Sequence, residues 1–185
     1  QRDMDSIHTA IEQIDRGEFQ RVVEMLLHAQ HIYILGVRSS SYLAGYLNFY
    51  FHLLFKNVIY VQNTAAGEIY EQMIHIGPGD VMVGISFPRY SNMGIHAIQL
   101  AHDRGADVVA ITDSQMSPLY PLASAALLVR CEALSYVDSL AAPLSLINAL
   151  VLAVGQRKQD EVSRIFAEME QVWSKYSIFG KAEDE

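Results

Sequence analysis

Five short apolar runs alternate with stretches of helical periodicity, and that alternation constrains the fold more than any other feature of the chain. The runs span residues 31–37 (HIYILGV), 57–61, 80–86, 107–112 and 125–131. Runs this short, rich in β-branched residues and bounded by turn signals, read as strands buried on both faces. Between them the period changes. Leu43, Leu47, Tyr50 and Leu54 recur at helical spacing, and helices are expected over 66–76, 92–104 and, briefly, 117–123. A Gly-Pro-Gly-Asp turn at 77–80 precedes the third strand, and Gly105 stands where the helix before the fourth should stop. Two helical patterns lead the chain: Ile7, Ile11 and Ile14, then Phe19, Val22, Val23, Leu26 and Leu27. Two more close it, over 137–157 and 160–176.

Strands that alternate with helices through right-handed crossovers make a parallel sheet covered on both faces. The expected fold is therefore α/β: a three-layer sandwich around a five-stranded parallel sheet in the flavodoxin-like order 2-1-3-4-5, with extra helices at both termini.

The 185 residues, 51% hydrophobic and 18% charged, suit one folded domain rather than a disordered chain. A net charge of −8 disfavours nucleic acid or an anionic membrane as the direct partner, yet allows a local basic pocket for a small anion. The single cysteine, Cys131, excludes an intrachain disulfide, and the polar, acidic N-terminus does not read as a signal peptide. A cytoplasmic protein is expected. The longest apolar stretch, 140–154, holds Pro143, Ser145 and Asn148, and is too short and too polar to span a bilayer. The chain opens at Gln1 without an initiator methionine, which suits a piece of a longer protein and equally a processed or trimmed one.

In doubly wound sheets ligands bind beyond the carboxyl ends of the strands, where the strand order reverses. The order 2-1-3-4-5 brings two loops to that point: GVRSSS (36–41) after the first strand and SFPRYSN (86–92) after the third. Each leads into a helix N-terminus, whose free N–H groups and dipole attract an anion. Ser39, Ser40 and Ser41 supply hydroxyls on one loop, Ser86 and Ser91 on the other, with Tyr90 between them. Arg38 and Arg89 add planar cations able to grip phosphate or carboxylate through two bonds. These eight are the candidate ligand-binding residues. Each has a plainer alternative: a serine before a helix is usually only its N-cap, and Arg89 could pair with a surface acid on a neighbouring loop.

The segment GVRSSSYLA resembles the GxGxSxxxA loop of sugar isomerase (SIS) domains, with Gly36, Ser40 and Ala44 on its marked positions. ISFPRYSN falls where that family has SxSGxT, Ser86 matching the first serine and Ser91 the threonine. The SFPRYS form, residues 105–129 and the run YVDSLAAPLSLINALVLAV are similar to the RpiR-type transcription regulators of that family, and the resemblance covers about 19–154. It implies a phosphosugar-sensing effector domain that binds a phosphorylated sugar or sugar acid. A homodimer is also expected, with no cofactor and no membrane partner. DNA would be reached only through a helix-turn-helix domain outside this chain. Residues 1–17 would then be a connecting helix, 18–177 the SIS domain and 178–185 an acidic tail. Two departures bear on the site. Arg38 stands where the first loop often has its second glycine, and Pro88 and Arg89 replace the second serine and the glycine of SxSGxT. Pro88 offers neither a hydroxyl nor an N–H, so two donors to an anion are lost.

The alternative within the family is an aldose–ketose isomerase, which needs a carboxylate or histidine base and a second proton-transfer group. Glu68 and Glu71 on the helix after strand two, Glu132 after strand five and His96 are the residues to weigh. His52 and His75 belong at helix ends away from the pocket, and no histidine follows His102. A non-catalytic domain is the reading taken. The histidines and the cysteine form no HxxxH, HxH or CxxC pair, so no metal is expected. GVRSSS lacks GxGxxG, and Gln62-Asn63 stands where a ribose-binding acid would be, so no dinucleotide is expected either. A third possibility is a dimerisation module. Leu140, Leu144, Ile147, Leu150, Val151 and Val154 make a helix apolar nearly all round, to be buried in a core or a subunit interface. In the last helix Val162, Ile165, Phe166, Met169, Val172, Trp173 and Tyr176 share a second stripe.

Overall fold

A computed structural model describes residues 1–62, 67–131, 133–134 and 137–178. Five parallel strands, β1 (Ile32–Gly36), β2 (Val58–Val61), β3 (Val81–Ile85), β4 (Asp107–Thr112) and β5 (Ala125–Leu128), form one sheet in the order β2-β1-β3-β4-β5. The expected order is realised. β1 lies at its switch point, Ile32 standing beside Val58 on one side and Val81 on the other. Every residue of β1 and β3 is buried, as the continuous apolar runs demand.

Side chains alternate between the two faces. Ile32 and Ile34 pack with α2 (Arg16–His28), α3 (Ser40–Leu54) and α6 (Ala141–Arg157), through Val22, Leu26, Leu47, Phe51, Ile147 and Leu150. Tyr33 and Leu35 pack on the opposite face with α4 (Glu68–Gln72) and α5 (Asn92–Asp103), through Ile69, Ala97 and Ile98. Asp15 caps α2, its carboxylate accepting from Gly17 N and Glu18 N. α1 (Arg2–Gln13) lies on α6, with Ile7 and Ala10, and Ile14 just past its end, against the core. α7 (Gln159–Tyr176) touches α3 and α6 but has no buried residue.

Three expected helices differ in extent, and β5 ends at Leu128, short of the expected 131. The helix expected over 66–76 is the single turn of α4, and its expected start at 66 lies outside the described residues. The expected helix over 117–123 is one 3-10 turn, Tyr120–Leu122, with Pro121 in it. The helix expected from 137 begins at Ala141, and an antiparallel ribbon of β6 (Ala133–Leu134) and β7 (Val137–Asp138) precedes it. Strands of two residues carry no periodicity, so nothing marks them in a pattern of apolar positions. Glu132 and all of the acidic tail beyond residue 178 lie outside the described residues.

Candidate functional site

Two loops meet at the switch point and both carry the same backbone strain. Arg38 has φ 59° and Arg89 φ 67°, the left-handed region that favours glycine. Both occupy positions where the resembling loops carry glycine, and holding a side chain there costs about 1–2 kcal/mol each. The loop after β1 is folded tightly over its strand end: a Cβ on Gly36 would lie 2.3 Å from the backbone oxygen of Ser40. Only glycine fits under that turn.

The loops enclose a cavity of about 430 Å³, lined from the first by Val37, Arg38, Ser39, Ser40 and Tyr42, and from the second by Ser86, Phe87, Pro88, Arg89 and Ser91, with Asp138 completing it. That is the size of a small-ligand site. Six of the eight sequence-derived candidates thus line one cavity.

Their hydroxyls are not spent on the fold. Ser39 and Ser91 hold the N-cap positions of α3 and α5, yet neither side chain makes a capping bond. Among the described residues none pairs with the hydroxyl of Ser39, Ser40, Ser86 or Ser91, although Ser40 is only 5% exposed.

Ser41 and Tyr90 point elsewhere. The Ser41 hydroxyl donates to Arg38 O at 2.6 Å, closing the first loop on itself, and Tyr60 Oη donates to the Ser41 carbonyl. Tyr90 Oη donates to Asp113 Oδ1 at 2.6 Å. Burial, and then the neighbouring Asp113, push the Tyr90 phenol up to about 12, so it is a neutral donor at any physiological pH. Asp113 also accepts from Thr112 and Ser114, which ties the second loop to the end of β4.

Arg89 lies over β7. Its Nη2 donates to both carboxylate oxygens of Asp138 at 2.9 Å, with 63% of the arginine side chain and 22% of the aspartate exposed. The surface-pair alternative for Arg89 is therefore occupied in this structure, and a pair so exposed contributes only about 0–1 kcal/mol. It leaves the guanidinium on the rim of the cavity. Cys131 lies close by, its thiol donating to Ser139 O at 3.3 Å. Burial first, then Asp138 and Asp113, push that thiol up to about 11.

Sequence reasoning missed Tyr42 and Asp138. Tyr42 lies three residues past the N-cap Ser39, in the first turn of α3, so helical spacing could have found it. Asp138 is 49 residues from Arg89 and carries no local signal. Neither Glu68, Glu71 nor any histidine lines the cavity, and His96 is exposed on α5.

Residues 25–153 match the model of the SIS domain family. An uncharacterised HTH-type transcriptional regulator of Caldanaerobacter subterraneus subsp. tengcongensis is 28% identical over 180 residues, covering 94% of this chain and 62% of the relative. A second such regulator, from Haemophilus influenzae, is 32% identical over 109 residues, covering 57% of this chain and 36% of the relative. The chain spans less than two thirds of the length of either. Among solved structures, the sugar isomerase domain of the RpiR transcription factor of Sphaerobacter thermophilus superposes with TM-score 0.86 at 20% identity, over 92% of this chain and 94% of that one. That likeness bears on the fold. The Vibrio vulnificus NanR protein complexed with ManNAc-6P superposes with TM-score 0.80 at 25% identity, over 97% of this chain and 67% of that one.

Proposed function

This chain belongs to the SIS domain family, and we propose that it is the phosphosugar-sensing effector domain of an RpiR-type transcription regulator. The observation that carries the reading is the polar inventory of one cavity, at two adjacent helix N-termini: four serine hydroxyls without partners among the described residues, Arg38, and Arg89 held by Asp138 on the rim. Such a set matches a phosphate, with the dipoles and the cations supplying the attraction. Arg38 and Arg89 offset the donors lost at Pro88. The bound sugar phosphate of the NanR structure supports the same ligand class, and the named function of the two curated relatives supports the regulatory role. The reading assigns DNA contact to a part of the protein outside this chain, and the protein to the cytoplasm. Among the described residues, no helix is long and apolar enough to cross a membrane.

The domain is non-catalytic. Proton transfer between sugar carbons needs a base and a second proton-transfer group in the pocket, and among the described residues Asp138 is the one acid that lines it and no histidine joins it. Aldose–ketose turnover that disappears in Glu68→Gln or Glu71→Gln would overturn this.

The domain is a homodimer through α6 and α7. Leu152 is 63% exposed, and Phe166 and Val172 are also exposed on faces the domain leaves uncovered. A cavity of about 640 Å³ lies between α3, α6 and α7, lined by Leu53, Leu152 and Phe166 among others. Leu152 of α6 and Phe166 of α7 share that cavity, and apolar residues exposed together on two helices suit a second copy.

A thermal-shift screen against phosphorylated sugars and sugar acids tests the ligand class. A ligand at 100 times its Kd adds about 2.7 kcal/mol, or roughly 5–11 °C for a chain of this length. No shift with any of them would overturn the assignment.

A further inference from the structure

Among the described residues Asp138 is the one carboxylate lining the pocket, and it already holds the group that an incoming anion needs. Arg89 Nη2 lies 2.9 Å from both of its oxygens. The two partners are unequal. The arginine side chain is 63% exposed, on a flexible stem, whereas the aspartate is 22% exposed and fixed at the end of β7. An anion in the cavity therefore meets a neutralised guanidinium and a carboxylate that repels it. Of the two partners, the arginine is the one free to turn.

The residue after Asp138 connects to other elements. Ser139 Oγ donates to Asp3 Oδ1 of α1 at 2.5 Å. The same oxygen receives Ala141 N at the start of α6, and the Ser139 carbonyl receives the Cys131 thiol. The polypeptide at 138–139 thus touches the pocket through one residue and the N-terminal helix through the next. Asp3 and Ser139 are 136 residues apart in the chain, so this contact is a tertiary joint and not a local turn.

We propose that Asp138 is an internal counter-ion that a bound ligand anion displaces from Arg89, and that its release loosens the Ser139–Asp3 contact holding α1. The proposal rests on the anion-site reading above and adds the competitor and the direction of its effect. Asp138 sets a threshold: it keeps weak anions off Arg89 and gives way to one held by the serines as well. Loss of the pair then alters the footing of α1 on α6, which Ile7 and Ala10 otherwise supply through apolar contact.

Calorimetric titration with inorganic phosphate tests the first half, on the unmodified chain, Asp138→Asn, Asp138→Ala, Arg89→Ala and the Asp138→Ala/Arg89→Ala double variant. Removing the competitor should tighten phosphate about three- to fivefold, the scale of an exposed ion pair. The gain should shrink when Arg89 is already alanine, because the pair no longer exists to be broken. Hydrogen exchange tests the second half. Amides of α1 should exchange faster when the unmodified chain is saturated with phosphate, and faster in Asp138→Ala without it. Melting curves establish that each variant is folded, and the phosphate-dependent exchange of the unmodified chain needs no variant. Phosphate bound by the unmodified chain but no tighter in either Asp138 variant would overturn the counter-ion and leave the anion site standing. Phosphate bound by none of the proteins would overturn both. Exchange in α1 that ignores phosphate and Asp138→Ala alike would overturn the link to the N-terminal helix.

Discussion

Arg89→Gly separates folding from binding at one position. Arg89 sits at φ 67°, where a side chain costs about 1–2 kcal/mol that glycine does not pay. Against that gain stand the greater freedom of glycine in the unfolded chain, about 0.5–1 kcal/mol, and loss of the exposed pair with Asp138, about 0–1 kcal/mol. The terms nearly cancel. The variant should melt between about 4 °C below and about 6 °C above the unmodified chain, given roughly 2–4 °C per kcal/mol at this length. Binding should behave differently. A charge-assisted bond to phosphate is worth about 1.5–3 kcal/mol, so affinity should fall roughly 10- to 150-fold. The upper part of that range is expected, because Asp138 is left unpaired in the cavity and repels the anion. Arg89→Lys should recover only part of the loss, since the planar fork is gone. The assay is calorimetry with the best hit of the thermal-shift screen, alongside melting curves. Unchanged affinity would remove Arg89 from the ligand site and leave the anion to the serines. A fall in Tm beyond about 8 °C would refute the argument that the loop stores strain at this residue.

Gly36→Ala should instead break the site through the fold: its Cβ would meet the Ser40 backbone oxygen at 2.3 Å, overpacking that costs about 1–3 kcal/mol and a Tm loss visible by circular dichroism. Cys131 should alkylate slowly. With its thiol at about 11 rather than 9, the thiolate at pH 8 is scarcer by about a hundredfold, and iodoacetamide labelling followed by mass spectrometry should quicken up to about pH 11 and quicken further in Asp138→Asn. The sign for stability is the same: a folded value above the unfolded one stabilises fully below pH 9, and that contribution disappears as pH rises to about 11. Light scattering should find a dimer at micromolar concentration, and Leu152→Glu combined with Phe166→Glu should give a monomer. A monomer before any substitution would leave the exposed stripes of α6 and α7 without a partner.

The residues of the sheet and those of the site were legible to different degrees. Each strand is a continuous apolar run because both faces of a parallel sheet are covered, and the handedness of crossovers leaves few orders for five such strands. The order then puts GVRSSS and SFPRYSN together, since those loops follow the two strands that flank the reversal. Element ends were less legible. The ribbon of β6 and β7 has two residues a side, below any period, and α4 is one turn of a longer expected helix. The long helix α6 shows the limit of a face argument: it is apolar nearly all round, yet Leu146 and Leu150 are buried while Leu152 is largely exposed. Periodicity reports which residues are apolar, and only the neighbours decide how many faces they cover.

Side-chain direction was beyond the chain's local pattern. Ser40 and Ser41 are adjacent and chemically identical, yet one lines the cavity and the other closes on the Arg38 carbonyl. Tyr90 stands between Arg89 and Ser91, both on the cavity, and itself turns to Asp113. A shift of one residue rotates a side chain by about 100° on a helix, and a composition-based list of candidates cannot register that rotation. The strands, their order and the two serine–arginine loops are consequences of short-range pattern, because burial on both faces and turn chemistry are written within a few residues. The meeting of Arg89 with Asp138, and of Ser139 with Asp3, is a consequence of packing: residues 49 and 136 positions apart are brought together by the sheet and by the docking of α1 and α6, and no local interaction energy selects those partners before the whole chain has folded.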